Sequence, residues 1–178
     1  MPMSEAWLRG PVEGVPEGLM PAAHSLLDAL EDMERAAAAL SVEQLWLRPG
    51  GAASVGFHLR HVCGSTERLL TYARGESLSP AQLGAIALEG QPGIPPETAT
   101  ELLAALRRTV EVTLDRYRAT PSEDLARPRR VGRAGLPSTV LGLLFHAAEH
   151  ARRHAGQVVA TARIIQGLGL TSGGDEPV

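Results

Sequence analysis

Apolar residues return at helical spacing in four separate segments, and this pattern leaves little room for any fold but a helical one. Leu26, Leu30, Met33, Ala37 and Leu40 are separated by four, three, four and three positions, which is one face of a 3.6-residue repeat. A second stripe holds Val55, Leu59, Val62, Leu69 and Ala73, and a third holds Leu102, Leu106, Val110, Leu114 and Tyr117. The last runs through Val140, Leu141, Leu144, Val158, Ala162 and Ile165. The expected helices extend from just after Pro21 to near Leu40, from about Ser54 to Arg74, from Thr98 to Pro121, and from about Ser138 to Gln166. Neither half of this set can bury its faces alone, so the fold class is all-α, a four-helix bundle forming one domain over residues 1–170.

Punctuation between the stripes supports these limits. Residues 1–20 are broken by Gly10, Pro11, Gly14, Pro16 and Gly18 and read as an irregular arm, with Trp7 and Leu8 as its anchors on the body or on a partner subunit. Pro49-Gly50-Gly51 closes a loop in which Trp46 is expected to cover the bundle end or the mouth of a site. Gly75 is the expected terminator of the second helix. Ser79-Pro80-Ala81-Gln82 and Thr98 with Glu101 carry capping boxes. Gly56 and Gly64 lie inside the second helix, each costing about 1 kcal/mol relative to alanine, and are expected to permit close packing. Residues 121–137 read as a long basic solvated loop, with one of its arginines as an alternative anchor for an anionic substrate. Residues 171–178 read as a disordered tail.

The formal charge of −3 over 178 residues offers no basic stripe for nucleic acid. No apolar run is long enough to span a membrane, and no leader of basic residues followed by an apolar run opens the chain, so a cytoplasmic protein is expected. Cys63, the single cysteine, reads as a small buried residue. No serine lies in a nucleophile elbow, and no glycine-rich phosphate loop is present.

The histidines carry the chemistry. Five of the six lie in two helical segments, which is hard to attribute to packing alone. His146, His150 and His154 are spaced four and four, so they stack on one helix face. His58 and His61 lie three apart on the second helix, and either can meet the last one. Neutral imidazoles converging from two helices ligate borderline-soft divalent ions such as zinc or nickel. Glu67 and Glu149 are the nearest acidic residues along the chain, and both read as surface or ion-pair residues.

Ser54-Val55-Gly56-Phe57-His58-Leu59-Arg60-His61 and His150-Ala151-Arg152-Arg153-His154-Ala155-Gly156-Gln157 resemble the paired motifs of the DinB/YfiT-like family. The resemblance covers nearly the whole chain. It implies an up-down-down-up four-helix bundle with a long central crossover, here residues 75–97, commonly a homodimer. It implies metal ligands at His61, His150 and His154, with His58 and His146 as neighbours of the site; Gln157, three residues after His154, is a pocket candidate by its spacing, as a partner for a helix neighbour or a ligand. It further implies a metal-dependent enzyme acting on a small molecule, either a thiol S-transferase using a low-molecular-weight thiol or a hydrolase. The competing class is a non-catalytic, stress-related dimeric bundle. No nucleic-acid or membrane partner is expected.

Overall fold

A computed structural model describes residues 4–170, so the tail at 171–178 lies outside the described residues. Helices dominate: α1 (Met20–Ala37), α2 (Val42–Trp46), α3 (Val55–Arg74), α4 (Pro80–Ile86), α5 (Ala99–Arg118) and α6 (Val140–Gly167). Two short strands, β1 (Pro128–Val131) and β2 (Leu136–Thr139), form an antiparallel pair. No described helix is long and apolar enough to cross a membrane.

The four long helices, α1, α3, α5 and α6, are those the apolar stripes predict. Their ends are set by local chemistry. The Ser54 hydroxyl accepts the Phe57 amide at 3.1 Å and opens α3. Gly75 closes that helix in the left-handed conformation (φ 85°), which only glycine adopts without steric cost. Thr98 and Glu101 form the reciprocal capping box of α5, and Ser79 and Gln82 form that of α4. The Thr139 side chain caps α6, whose 28 residues span about 42 Å at 1.5 Å per residue.

α1 packs on α6 and α5, and α3 packs on the same two helices. Leu26, Met33, Leu59, Val62, Leu106, Val110, Leu144, Val158 and Ile165 fill the space between them and are essentially inaccessible. Ala22, Ala23, Ala29 and Ala37 on α1 and Ala147, Ala148, Ala151, Ala155 and Ala162 on α6 are buried as well; short side chains let helix axes approach closely. The Tyr117 hydroxyl, wholly enclosed, donates to the Leu144 carbonyl at 2.8 Å and ties α5 to α6.

Three segments differ from expectation. The loop before Pro49 contains a five-residue helix, α2, opened by a capping box between Ser41 and Gln44. The N-terminal arm holds two single 3-10 turns, and Ala6, Val15 and Leu19 anchor it, while Trp7 and Leu8 are each 58% exposed. Residues 121–137, expected as a solvated loop, fold largely into the β1–β2 hairpin, with Val131 facing Leu136 across its turn. The Arg129 Nε there donates to the Ala73 carbonyl at 2.7 Å. That satisfies one of the carbonyls left unpaired at a helix C-terminus, so this arginine is spent on structure.

Candidate metal centre

α3 and α6 face each other so that their histidines meet. His61 Nε2 lies 2.9 Å from His150 Nε2, and His58 Nδ1 lies 2.9 Å from His154 Nδ1. The His61 and His154 ring centroids are 4.8 Å apart, and those of His150 and His154 are 4.5 Å apart. One nitrogen from each of His61, His150 and His154 can be chosen so that all three lie within 4.8 Å of one another. This is the set that the family resemblance implies. The helical repeat explains the α6 pair: one turn separates His150 from His154, and both rings hang over the same face.

The donor set suits a divalent ion. Tetrahedral ligands at 2.0–2.1 Å place their nitrogens about 3.4 Å apart, between the 2.9 Å of the closest pair and the 4.8 Å limit of the triad. Two neutral imidazole nitrogens at 2.9 Å need a proton between them, and His150 Nδ1 is buried with no hydrogen-bond partner among the described residues. A cation drawing on several lone pairs relieves that crowding of ring nitrogens without needing a proton.

The rings are poised to donate. Burial, reinforced by the neighbouring imidazoles, pushes the His154 pKa down to about 3 and that of His150 to about 4. Burial and the His61 ring push His58 down to about 4. Desolvation disfavours the charged form, so these rings are neutral at neutral pH and offer lone pairs without first losing a proton.

The flanking candidates separate. His58 is buried and bonds His154 directly. His146 lies one turn from His150, with ring centroids 5.5 Å apart, but its side chain is 49% exposed and sits 3.3 Å from Glu149. Gln157 is exposed on α6. Glu149 pairs with Arg153 at 2.7 Å on the surface, and this contact lowers its pKa. Glu67 is exposed and accepts from Gln82. The Cys63 thiol lies towards α5 and Thr109, and burial raises its pKa, as befits a packing residue.

One site residue is absent from the sequence reading. Glu89, in the connection between α4 and α5, places Oε2 2.7 Å from His61 Nδ1 and Oε1 2.7 Å from Arg68 Nη1. No local pattern marks it, because the connection has no periodicity. The one available sign was Gly64. A Cβ at that position would sit 2.5 Å from Glu89 Oε1, so the glycine makes room for the carboxylate.

The model of the DinB superfamily matches residues 25–158. No curated protein matches the chain. Among solved structures, the chain is similar to a conserved protein from Enterococcus faecalis (TM-score 0.63, 20% identity), over 84% of this chain and 97% of that one. It is also similar to a DinB-like protein from Bacillus cereus (TM-score 0.57, 18% identity), over 87% of this chain and 95% of that one. At these identities the likeness speaks for the fold. The family match spans most of the chain, including both histidine clusters, and so the protein belongs to the DinB superfamily.

Proposed function

We propose that His61, His150 and His154 hold a divalent first-row ion, zinc or nickel, and that the protein is a metal-dependent enzyme acting on a small molecule. The observation that carries this reading is the convergence of three ring nitrogens from two helices within 4.8 Å. Three protein donors are one fewer than a closed structural zinc site uses, and match the open arrangement of catalytic zinc. When bound, such an ion supplies Lewis acidity that makes water or a thiol nucleophilic near neutral pH. The chain's own part is to present neutral imidazoles, to orient His154 through the buried His58 bond, and to surround the rings with side chains that exclude bulk water. Phe57 does the last directly, stacking on His61 with centroids 5.2 Å apart. The reaction class we propose is transfer to a low-molecular-weight thiol, or hydrolysis.

The helix directions we infer are up-down-down-up. Three relationships support them. His58 meets His154 while His61 meets His150, as antiparallel helices require. Ser25 lies near Phe145, and Asp32 bonds Arg152 further along both helices, as parallel ones require. Arg60 near the start of α3 bonds Glu97 just before α5, and Glu76 just after α3 lies near Arg116 in the last turn of α5, as parallel helices require. We also take the protein as a cytoplasmic homodimer. Leu141 and Phe145, one turn apart on α6 and exposed, offer a second copy an apolar strip to cover, and light scattering in solution tests this.

The catalytic reading is tested by loading purified protein with zinc or nickel and screening thiol transfer to electrophiles and ester or amide hydrolysis. Turnover abolished by a chelator and by His150→Ala is the expected result. A loaded protein inert in every assay favours the non-catalytic bundle.

A further inference from the structure

Glu89 is the only buried residue between Arg74 and Thr98. Every other side chain of that long connection is exposed or partly so, yet the one drawn inside is a carboxylate, 6% exposed. Burying a carboxylate is costly unless it is paired and hydrogen-bonded. Both conditions are met, by Arg68 at 2.7 Å on one oxygen and by His61 Nδ1 at 2.7 Å on the other.

The surroundings hold this contact in place. Arg60, one residue before His61, reaches the opposite side of the connection and donates to the carbonyls of Leu88, Gln91 and Pro92 and to the Glu97 carboxylate. Its guanidinium also lies 5.0 Å from the centre of the Trp46 ring. The chain on both sides of Glu89 is therefore fastened to the helix that carries His61. Gly64, one turn beyond Arg60, leaves the gap through which the carboxylate enters.

We propose that Glu89 is a positioning residue of the metal centre. By accepting a hydrogen bond from His61 Nδ1–H, it holds that ring in the tautomer whose Nε2 lone pair faces His150 and His154. Imidazole ligands are commonly fixed in this way by a carboxylate on the far ring nitrogen, which also raises ligand basicity. The inference rests on the metal reading given above and adds to it a group delivered by the crossover and not by a helix.

The test combines two readouts on wild type, Glu89→Ala, Glu89→Gln and Gly64→Ala. The first is zinc affinity, by competition with a chromophoric chelator. The second is the His61 tautomer in metal-free protein, from long-range proton–nitrogen correlation spectra. Gly64→Ala leaves the carboxylate in the chain but displaces it. Its close contacts are the ends of the Glu89 and Arg68 side chains, which move without disturbing the backbone, so this variant folds even if Glu89→Ala does not.

Glu89→Ala and Gly64→Ala are expected to weaken zinc binding about 10–100-fold and to convert a single Nδ1–H tautomer of His61 into a mixture. Glu89→Gln keeps an acceptor oxygen and restores most of the tautomer. Unchanged zinc affinity with an unchanged tautomer in both alanine variants overturns the proposal and leaves Glu89 as a partner of Arg68 alone. A wild-type Nε2–H tautomer on His61 overturns it as well. Wild type that binds no zinc, yet shows a Glu89-dependent Nδ1–H tautomer, overturns the metal reading and keeps the pairing.

Discussion

His58 Nδ1 lies 2.9 Å from His154 Nδ1, inside the interface of α3 and α6. One ring must donate and the other accept. If His154 donates, its Nε2 keeps the lone pair it can offer a metal, and His58 acts by orienting that ring. His58→Ala is therefore expected to weaken metal binding about 10–100-fold, the usual effect of losing a partner behind a ligand. His154→Ala should abolish tight binding. Competitive zinc titration of both variants checks this, and equal losses would place His58 among the ligands.

His146 belongs to the same helical stripe but stands half outside it. Its side chain is 49% exposed and turned to Glu149. His146→Ala is expected to leave metal stoichiometry and affinity at wild-type values, while His150→Ala removes the metal. Loss of metal in both variants would extend the centre one turn along α6.

The metal-free protein should lose stability as acid is added. His58, His150 and His154 have folded-state pKa values lowered to about 4, 4 and 3, against an ordinary value near 6.5. The unfolded chain thus binds more protons across this interval, and stability rises with pH wherever that holds. The contribution is present above about pH 6.5 and is lost progressively as pH falls towards 4. Urea unfolding at a series of pH values from 8 to 4.5 tests it. A flat profile between pH 7 and 5 would mean that the three rings are protonated as readily in the folded protein as in the unfolded one.

Gly56 and Gly64 should respond unequally to the same substitution. A Cβ on Gly56 would lie 2.8 Å from the Trp46 ring. That ring is held by its Nε1–H bond to the Glu97 carbonyl at 3.1 Å and by the Arg60 guanidinium above it. Overpacking of this kind costs about 1–3 kcal/mol, against a gain of about 1 kcal/mol in helix propensity. Gly56→Ala is expected to lower the melting temperature more than Gly64→Ala, whose close contacts are the ends of flexible side chains. Thermal denaturation of the two variants side by side decides the matter.

These two glycines also show where the sequence was informative. Both stand out as costly inside α3, and close approach was the natural expectation. What approaches them was not legible: Trp46 comes from a single-turn helix and Glu89 from an aperiodic connection, each joined to α3 through long-range contacts. The four long helices and the histidine face of α6 were legible because a 3.6-residue repeat is written locally. The caps at Gly75, Ser79 and Thr98 were legible for the same reason, since each is a short-range hydrogen-bond or backbone preference. The β1–β2 hairpin was not. Its strands have four residues each, carry Pro128 and Pro137, and alternate too briefly to compete with the signal of a basic loop. Arg129, an anion anchor on charge alone, caps α3 because the hairpin brings it there, about 18 Å along the helix from His61 at 1.5 Å per residue.

The central claim is that His61, His150 and His154 bind one divalent ion. The most direct measurement is elemental analysis of protein purified without an affinity tag or added metal, wild type beside the His61→Ala/His154→Ala double variant. About one zinc or nickel per chain is expected in wild type, and none in the variant. Wild type that carries no metal and takes up neither zinc nor nickel tightly when they are added would contradict it.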